Sequence, residues 1–208
     1  MITQYPIAFW ISVSGTDGEE NFGYLLEKNF VIEGRSKAQA KKLVNQWLKG
    51  IEIARTGETF EENLKATEEL RRDSFFIYLN GNGVPTKEGF LQWQKKIQSG
   101  ENPIDTVTGL PIYIPEFDKV LGKVNCPVLA IFGDKDCIVD WKKTKALYKR
   151  TIGKNPAASL TTRVFPNCDH GMVQCKTGGI REDLTNASAP DEYFETMISW
   201  LKEKGFGS

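Results

Sequence analysis

Two segments of this chain are apolar on both of their alternating faces, and they constrain the fold more than anything else in the sequence. They are Ile7-Ala8-Phe9-Trp10-Ile11-Ser12-Val13 and Val128-Leu129-Ala130-Ile131-Phe132. A strand with one wet face alternates apolar and polar residues. A strand apolar on both faces is covered on both, as in a parallel sheet between helices. Turn residues stop each run, Ser14-Gly15-Thr16-Asp17-Gly18 after the first and Gly133 after the second. Leu160-Thr161-Thr162-Arg163-Val164-Phe165 reads as a third strand, more polar and so nearer an edge.

Helical patterns separate these strands. Ser36-Lys37-Ala38-Gln39 is a capping box, with Ser36 as N-cap and Gln39 reaching back. Behind it Ala40, Leu43, Val44, Trp47, Leu48 and Ile51 recur at three- and four-residue spacing, so one helix face must be buried. Thr59-Phe60-Glu61-Glu62 is a second capping box, opening a helix that runs through Leu64 and Leu70. Thr86 caps a third, holding Phe90, Leu91 and Trp93. Trp141–Ile152 has helical spacing, and Tyr193–Lys204 is a closing amphipathic helix with Phe194, Met197, Ile198 and Leu201 inward. Strand, helical insert, strand, helix, strand, helix predicts an α/β fold. Three parallel strands lie in sequence order, flanked by helices.

Composition removes several function classes. Lys+Arg and Asp+Glu are both 27, which argues against a nucleic-acid binder. With 40% hydrophobic and 26% charged residues the chain is not a disordered one. The apolar run near the start is too short to span a membrane and has no preceding basic residue, so neither a membrane anchor nor a signal peptide is expected. Cys126, Cys137, Cys168 and Cys175 show no CxxC spacing and no disulfide framework, which fits a cytoplasmic setting. No pair has zinc-finger spacing, and Asp136–Asp140 lacks the Gly and distal Glu of a calcium loop. No metal and no cofactor are expected.

The chemistry gathers after the second and third strands. The one histidine, His170, stands in Pro166-Asn167-Cys168-Asp169-His170-Gly171, just past the carboxyl end of the third strand. Open α/β sheets bind ligands there, and an imidazole titrating near neutrality is suited to general-base work. Gly133-Asp134-Lys135-Asp136-Cys137-Ile138-Val139-Asp140 follows the second strand. A carboxylate in it can orient the imidazole and stabilise its charged form. The competing reading is an Asp-rich turn, with Asp140 as N-cap of the next helix.

These two stretches, read together with the first strand, resemble the second half of an α/β-hydrolase. In that family the acid follows the seventh strand and the histidine the eighth. The resemblance makes Asp136 the acid and His170 the base, with Asp134 at a variable position. It makes Phe9-Trp10-Ile11-Ser12-Val13-Ser14-Gly15 the sixth strand, after which a helical cap is inserted. It implies a partial α/β-hydrolase core in residues 1–16 and 103–208 and a cap in 17–102. The implied activity is hydrolysis of a small ester or amide.

One part of the family pattern is missing. The nucleophile is a serine in G-x-S-x-G on a strand-to-helix elbow, and these 208 residues contain no such motif. The expectation is a fragment of a serine hydrolase, inactive alone. The alternative is a non-catalytic relic or interaction module that keeps the cap and half the sheet. Ser14 is a weak substitute nucleophile, on the correct sheet edge but in what reads as an ordinary turn without a strained elbow. Cys168 and Cys137 are further substitutes near the site. With its outer neighbour missing, the first strand would expose an edge and both faces. A homodimer through Phe9–Val13, or through exchange of the caps, is therefore expected.

Overall fold

The structure is a computed structural model that describes residues 7–81, 83–100 and 112–206. The expected core–cap boundary at 102/103 lies outside the described residues. The chain divides into two compact units, Gly18–Pro115 in one and Met1–Asp17 with Glu116–Ser208 in the other. The segment just after the undescribed stretch goes with the helical unit. Ile112 bridges to Glu19, and the N–H groups of Tyr113 and Ile114 both donate to the carbonyl of Gly18.

The second unit holds a three-stranded, fully parallel sheet in the order β1 (Trp10–Val13), β2 (Pro127–Gly133), β3 (Ser159–Phe165). This three-stranded parallel sheet flanked by helices is the arrangement of a partial α/β-hydrolase fold. β2 is central and its side chains are buried on both faces, which is why its sequence shows no alternation. Val128, Ala130 and Phe132 pack with Leu147 and Tyr148 of α8 (Trp141–Arg150). Leu129 and Ile131 pack on the other face with Trp200 of α9 (Glu192–Glu203). Each of these five β2 side chains contributes on the order of 1–3 kcal/mol by leaving water, Ala130 the least.

β1 is shorter than the sequence pattern predicts, since residues 7–9 lie outside the strand. Its two faces are partly covered: Trp10 and Ile11 are half-buried, Ser12 is buried and Val13 is exposed. Phe9 meets Trp200 and Phe206 with ring centroids 6.2 and 4.9 Å apart, and Trp10 meets Tyr148 at 5.7 Å. Among the described residues β1 pairs with β2 alone, so its other edge has no partner strand there.

α9 is rotated by about one residue from the inward face read in the sequence. Tyr193, Met197, Trp200 and Leu201 face the sheet, while Phe194 and Ile198 are 63% and 52% exposed. Trp200 decides the rotation. It is the largest apolar group on the helix, and its indole N–H finds an acceptor on β3, the Thr161 hydroxyl at 3.1 Å.

Apart from the Glu19–Ile112 bridge, the described elements of the other unit are helices: α1 (Phe22–Ile32), α2 (Lys37–Thr56), α3 (Phe60–Ala66), α4 (Glu68–Arg72), α5 (Ser74–Leu79) and α6 (Lys87–Gln98). α7 (Phe117–Leu121) belongs to the sheet unit. Both capping boxes form with both reciprocal bonds, and Thr86 Oγ1 accepts from Gly89 N–H. The helix read through Leu64 and Leu70 is broken at Thr67. This residue has φ −108°, and its hydroxyl donates to the Asn63 carbonyl, which ends α3 and starts α4. α2 is the spine. Ala40, Leu43, Val44 and Ile51 are buried as the spacing requires, and Ile53 and Ala54 add a second apolar face against Phe90 of α6. Among the described residues no helix is long and apolar enough to cross a membrane.

Candidate active site

The acid loop and the histidine loop are fastened to each other by backbone, beginning where β2 and β3 end. Asp134 N–H donates to the Phe165 carbonyl and Lys135 N–H to the Cys168 carbonyl, at 3.0 and 2.9 Å. The Asp134 carboxylate accepts the N–H of Asn167 at 2.7 Å. Gly133 permits this approach: a Cβ there would sit 2.3 Å from the Cys168 carbonyl oxygen and 2.4 Å from that of Asp169. The histidine loop is then closed by Asp169, whose carboxylate accepts Val173 N–H at 2.9 Å and whose N–H donates to the Val173 carbonyl.

Within this frame His170 Nδ1 lies 2.9 Å from Asp136 Oδ2. Asp136 is buried, and its Oδ1 accepts the N–H groups of Ile138 and Val139 at 2.8 and 2.9 Å. With one oxygen tied to its own turn, the carboxylate has the other aimed at the ring. A carboxylate acceptor fixes the tautomer, so Nδ1 carries the proton and Nε2 has the free lone pair. Among the described residues nothing bonds Nε2, and the His170 side chain is 36% exposed. The hydrogen bond from Asp136 raises the imidazole pKa above its ordinary value, partial burial opposes this, and the carboxylate charge adds to the rise.

Ser14 reaches the same loop by a different atom. Its hydroxyl donates to the backbone carbonyl of His170 at 2.6 Å, and its φ of +48° is in the left-handed region. The backbone at Ser14 is therefore not the ordinary turn expected from Ser-Gly. Cys168 is fully buried, with Sγ 3.5 Å from the Pro166 carbonyl; burial pushes its thiol pKa up, and the charges of Asp134 and Asp169 push it further. A thiol held protonated is a poor nucleophile. Cys137 Sγ lies 3.6 Å from the Thr177 carbonyl. All four cysteines are free thiols. Asp140 caps α8, accepting from Lys142 and Lys143 N–H. No cluster of metal-ligating side chains exists among the described residues.

The supports of this site were less visible than its centre. Asp134 read as a variable position and serves as the clasp between the two loops. Glu182, which no motif marks, caps the backbone beyond. Its carboxylate accepts the Thr177 hydroxyl and the N–H groups of Lys176, Thr177 and Gly178. Burial would raise its pKa, but these donors bring it down to about 2. Gly178, at φ +76°, passes so close to Lys135 that a Cβ would meet its carbonyl oxygen at 1.9 Å. A glycine followed by an acid four residues later was the only signal available.

No curated protein and no solved structure matches the chain. The model of the Dienelactone hydrolase family matches residues 115–205, a span that holds β2, both loops, Asp136, His170 and α9. Similarity over that span and a parallel sheet flanked by helices support a hydrolase-like α/β protein.

Proposed function

We propose that the chain carries the acid and base of a hydrolase acting on ester or amide bonds, with Asp136 and His170 in those roles. The observation that carries this reading is the 2.9 Å contact between His170 Nδ1 and the buried Asp136 carboxylate, with Nε2 left free. In the proposed reaction Nε2 takes the proton of a serine hydroxyl as its oxygen attacks the carbonyl carbon. Asp136 stabilises the imidazolium so formed. Nε2–H then gives that proton to the departing alcohol or amine, and water repeats the cycle on the acyl-enzyme. The serine would come from a G-x-S-x-G segment outside these 208 residues. An acid–base pair without nucleophile and oxyanion hole retains little of a triad's power.

The test is hydrolysis of p-nitrophenyl acetate. The chain alone is expected to match its His170→Ala variant. A polypeptide supplying the strand, serine elbow and helix should raise turnover in the wild type and not in the variant. Turnover by the chain alone that disappears in His170→Ala would overturn the fragment reading.

A second reading is favoured by the open edge of β1. It makes the chain an interaction module in which a second copy pairs with that edge, forming a homodimer. Exchange of the helical units between copies is the other form of the same idea.

A further inference from the structure

The helical unit contains a cavity of about 540 Å³ that the acid–base reading does not use. Its size falls within the range of small-molecule sites. Its wall is aromatic: Trp47 from α2, Phe60 from α3, Phe76 from α5, and Phe90 and Trp93 from α6 all line it. Several of these rings are already in edge or tilted contact with one another. Phe60 and Phe90 lie 5.7 Å apart, and Phe90 and Trp93 6.1 Å. Such a wall offers ring edges and faces to a flat apolar body.

One lining residue is charged, Arg71. Its Nε donates to Thr67 Oγ1 at 3.3 Å and its Nη2 to the Leu64 carbonyl at 2.7 Å. Both acceptors are neutral, and Arg71 forms no ion pair among the described residues. Its neighbour Arg72 pairs with Glu68, and Arg35 with Asp73. The two bonds fix the guanidinium against α3, leaving Nη1 without a hydrogen bond among the described residues. A fixed, half-buried cation beside an apolar wall lacks the counter-charge it would have in water or in an ion pair. Guanidinium geometry suits a carboxylate.

We propose that this cavity binds a monocarboxylate with a bulky apolar body, the body against the aromatic wall and the carboxylate on Arg71. None of its lining residues belongs to the unit that holds Asp136 and His170.

Equilibrium dialysis of the full chain with 2-naphthoate and its neutral isostere 2-naphthamide tests this. Naphthoate should bind saturably and at least about tenfold tighter than the amide, the worth of one charge-assisted hydrogen bond. Arg71→Gln should weaken naphthoate binding by about that factor and leave the amide unchanged, while Arg71→Lys keeps part of the preference. His170→Ala should bind both ligands as the wild type does, which separates this site from the hydrolase reading. Circular dichroism checks that Arg71→Gln folds. If it does not, the wild-type preference and its partial retention in Arg71→Lys decide. Absence of saturable binding, equal affinity for the two ligands, or a preference that survives Arg71→Gln overturns the proposal.

Discussion

Ser14 holds His170 by its backbone carbonyl, at 2.6 Å, while Asp136 holds the ring. The histidine is thus fixed from two strands, its main chain from the end of β1 and its imidazole from the turn after β2. The left-handed φ of Ser14 costs roughly 1–2 kcal/mol for a non-glycine residue, and the hydrogen bond it makes offsets part of that.

Ser14→Ala should therefore lower stability by about 1–2 kcal/mol, because it loses the bond and keeps the strain. Ser14→Gly should lose less, since glycine adopts positive φ without steric cost. Urea unfolding of the two variants gives the order directly. Equal losses would mean that the backbone conformation at Ser14 carries no strain.

The single histidine makes its titration simple to follow by NMR of its ring protons. Its folded pKa lies above the ordinary 6.5, chiefly through the Asp136 hydrogen bond. A raised pKa means that this interaction stabilises the fold fully below pH 6.5 and is lost as pH rises through the folded value. Asp136→Asn should lower the His170 pKa and flatten stability across that window. An unchanged titration in Asp136→Asn would separate the two residues in solution.

Gly133→Ala should disturb the same pair without touching either member. The added Cβ would meet two carbonyl oxygens of the histidine loop at 2.3 and 2.4 Å, so that loop must move. The cost should be about 1–3 kcal/mol, in the range of other overpacked sites. The His170 pKa should fall toward 6.5 as the ring leaves Asp136. A variant with wild-type stability and titration would show that the loops close without this approach.

Glu182 has a pKa of about 2, far below its ordinary 4.5. A depressed pKa gives stability that is present above pH 4.5 and lost as pH falls through 2. Glu182→Gln should make the 176–178 turn more open to proteolysis at neutral pH, with the difference from wild type vanishing near pH 2. Equal cleavage rates at pH 7 would remove Glu182 from its capping role.

How much of this was legible in the sequence depended on whether the cause was local. β2, the two capping boxes and the Asp136 and His170 loops are written in runs of neighbouring residues. Thr67, which splits one helix into two, acts by a hydroxyl bond to its own preceding turn that competes with a good apolar pattern. Phe194 and Ile198 are placed outside by Trp200 reaching Thr161, a partner 39 residues away in sequence. Asp134 and Gly133 gain their roles only when β2 and β3 lie side by side, so spacing along the chain could not reveal them.

The open edge of β1 leads to the last prediction. Antiparallel pairing of Trp10–Val13 with a second copy adds about four ladder bonds. At about 1 kcal/mol net for each, that is ~4 kcal/mol, which offsets only the low end of the cost of association. A micromolar dimer needs about 8 kcal/mol beyond that, the worth of about 320 Å² of apolar surface at ~25 cal/mol per Å². Trp10 and Ile11 are already half-buried and Ser12 is buried, so most of this area must come from Ile7, Val13 and Phe206, which are exposed. Sedimentation should therefore show a weight-average mass rising from 23.4 kDa toward twice that value between about 10 μM and 1 mM protein. Val13→Lys places a charge on the exposed strand end without opening the core, and it should hold the chain monomeric across that range. If the wild type stays at 23.4 kDa throughout, the edge is not a pairing site for a second copy. If the dimer persists in Val13→Lys, the copies meet elsewhere, and exchange of the helical units becomes the arrangement to test.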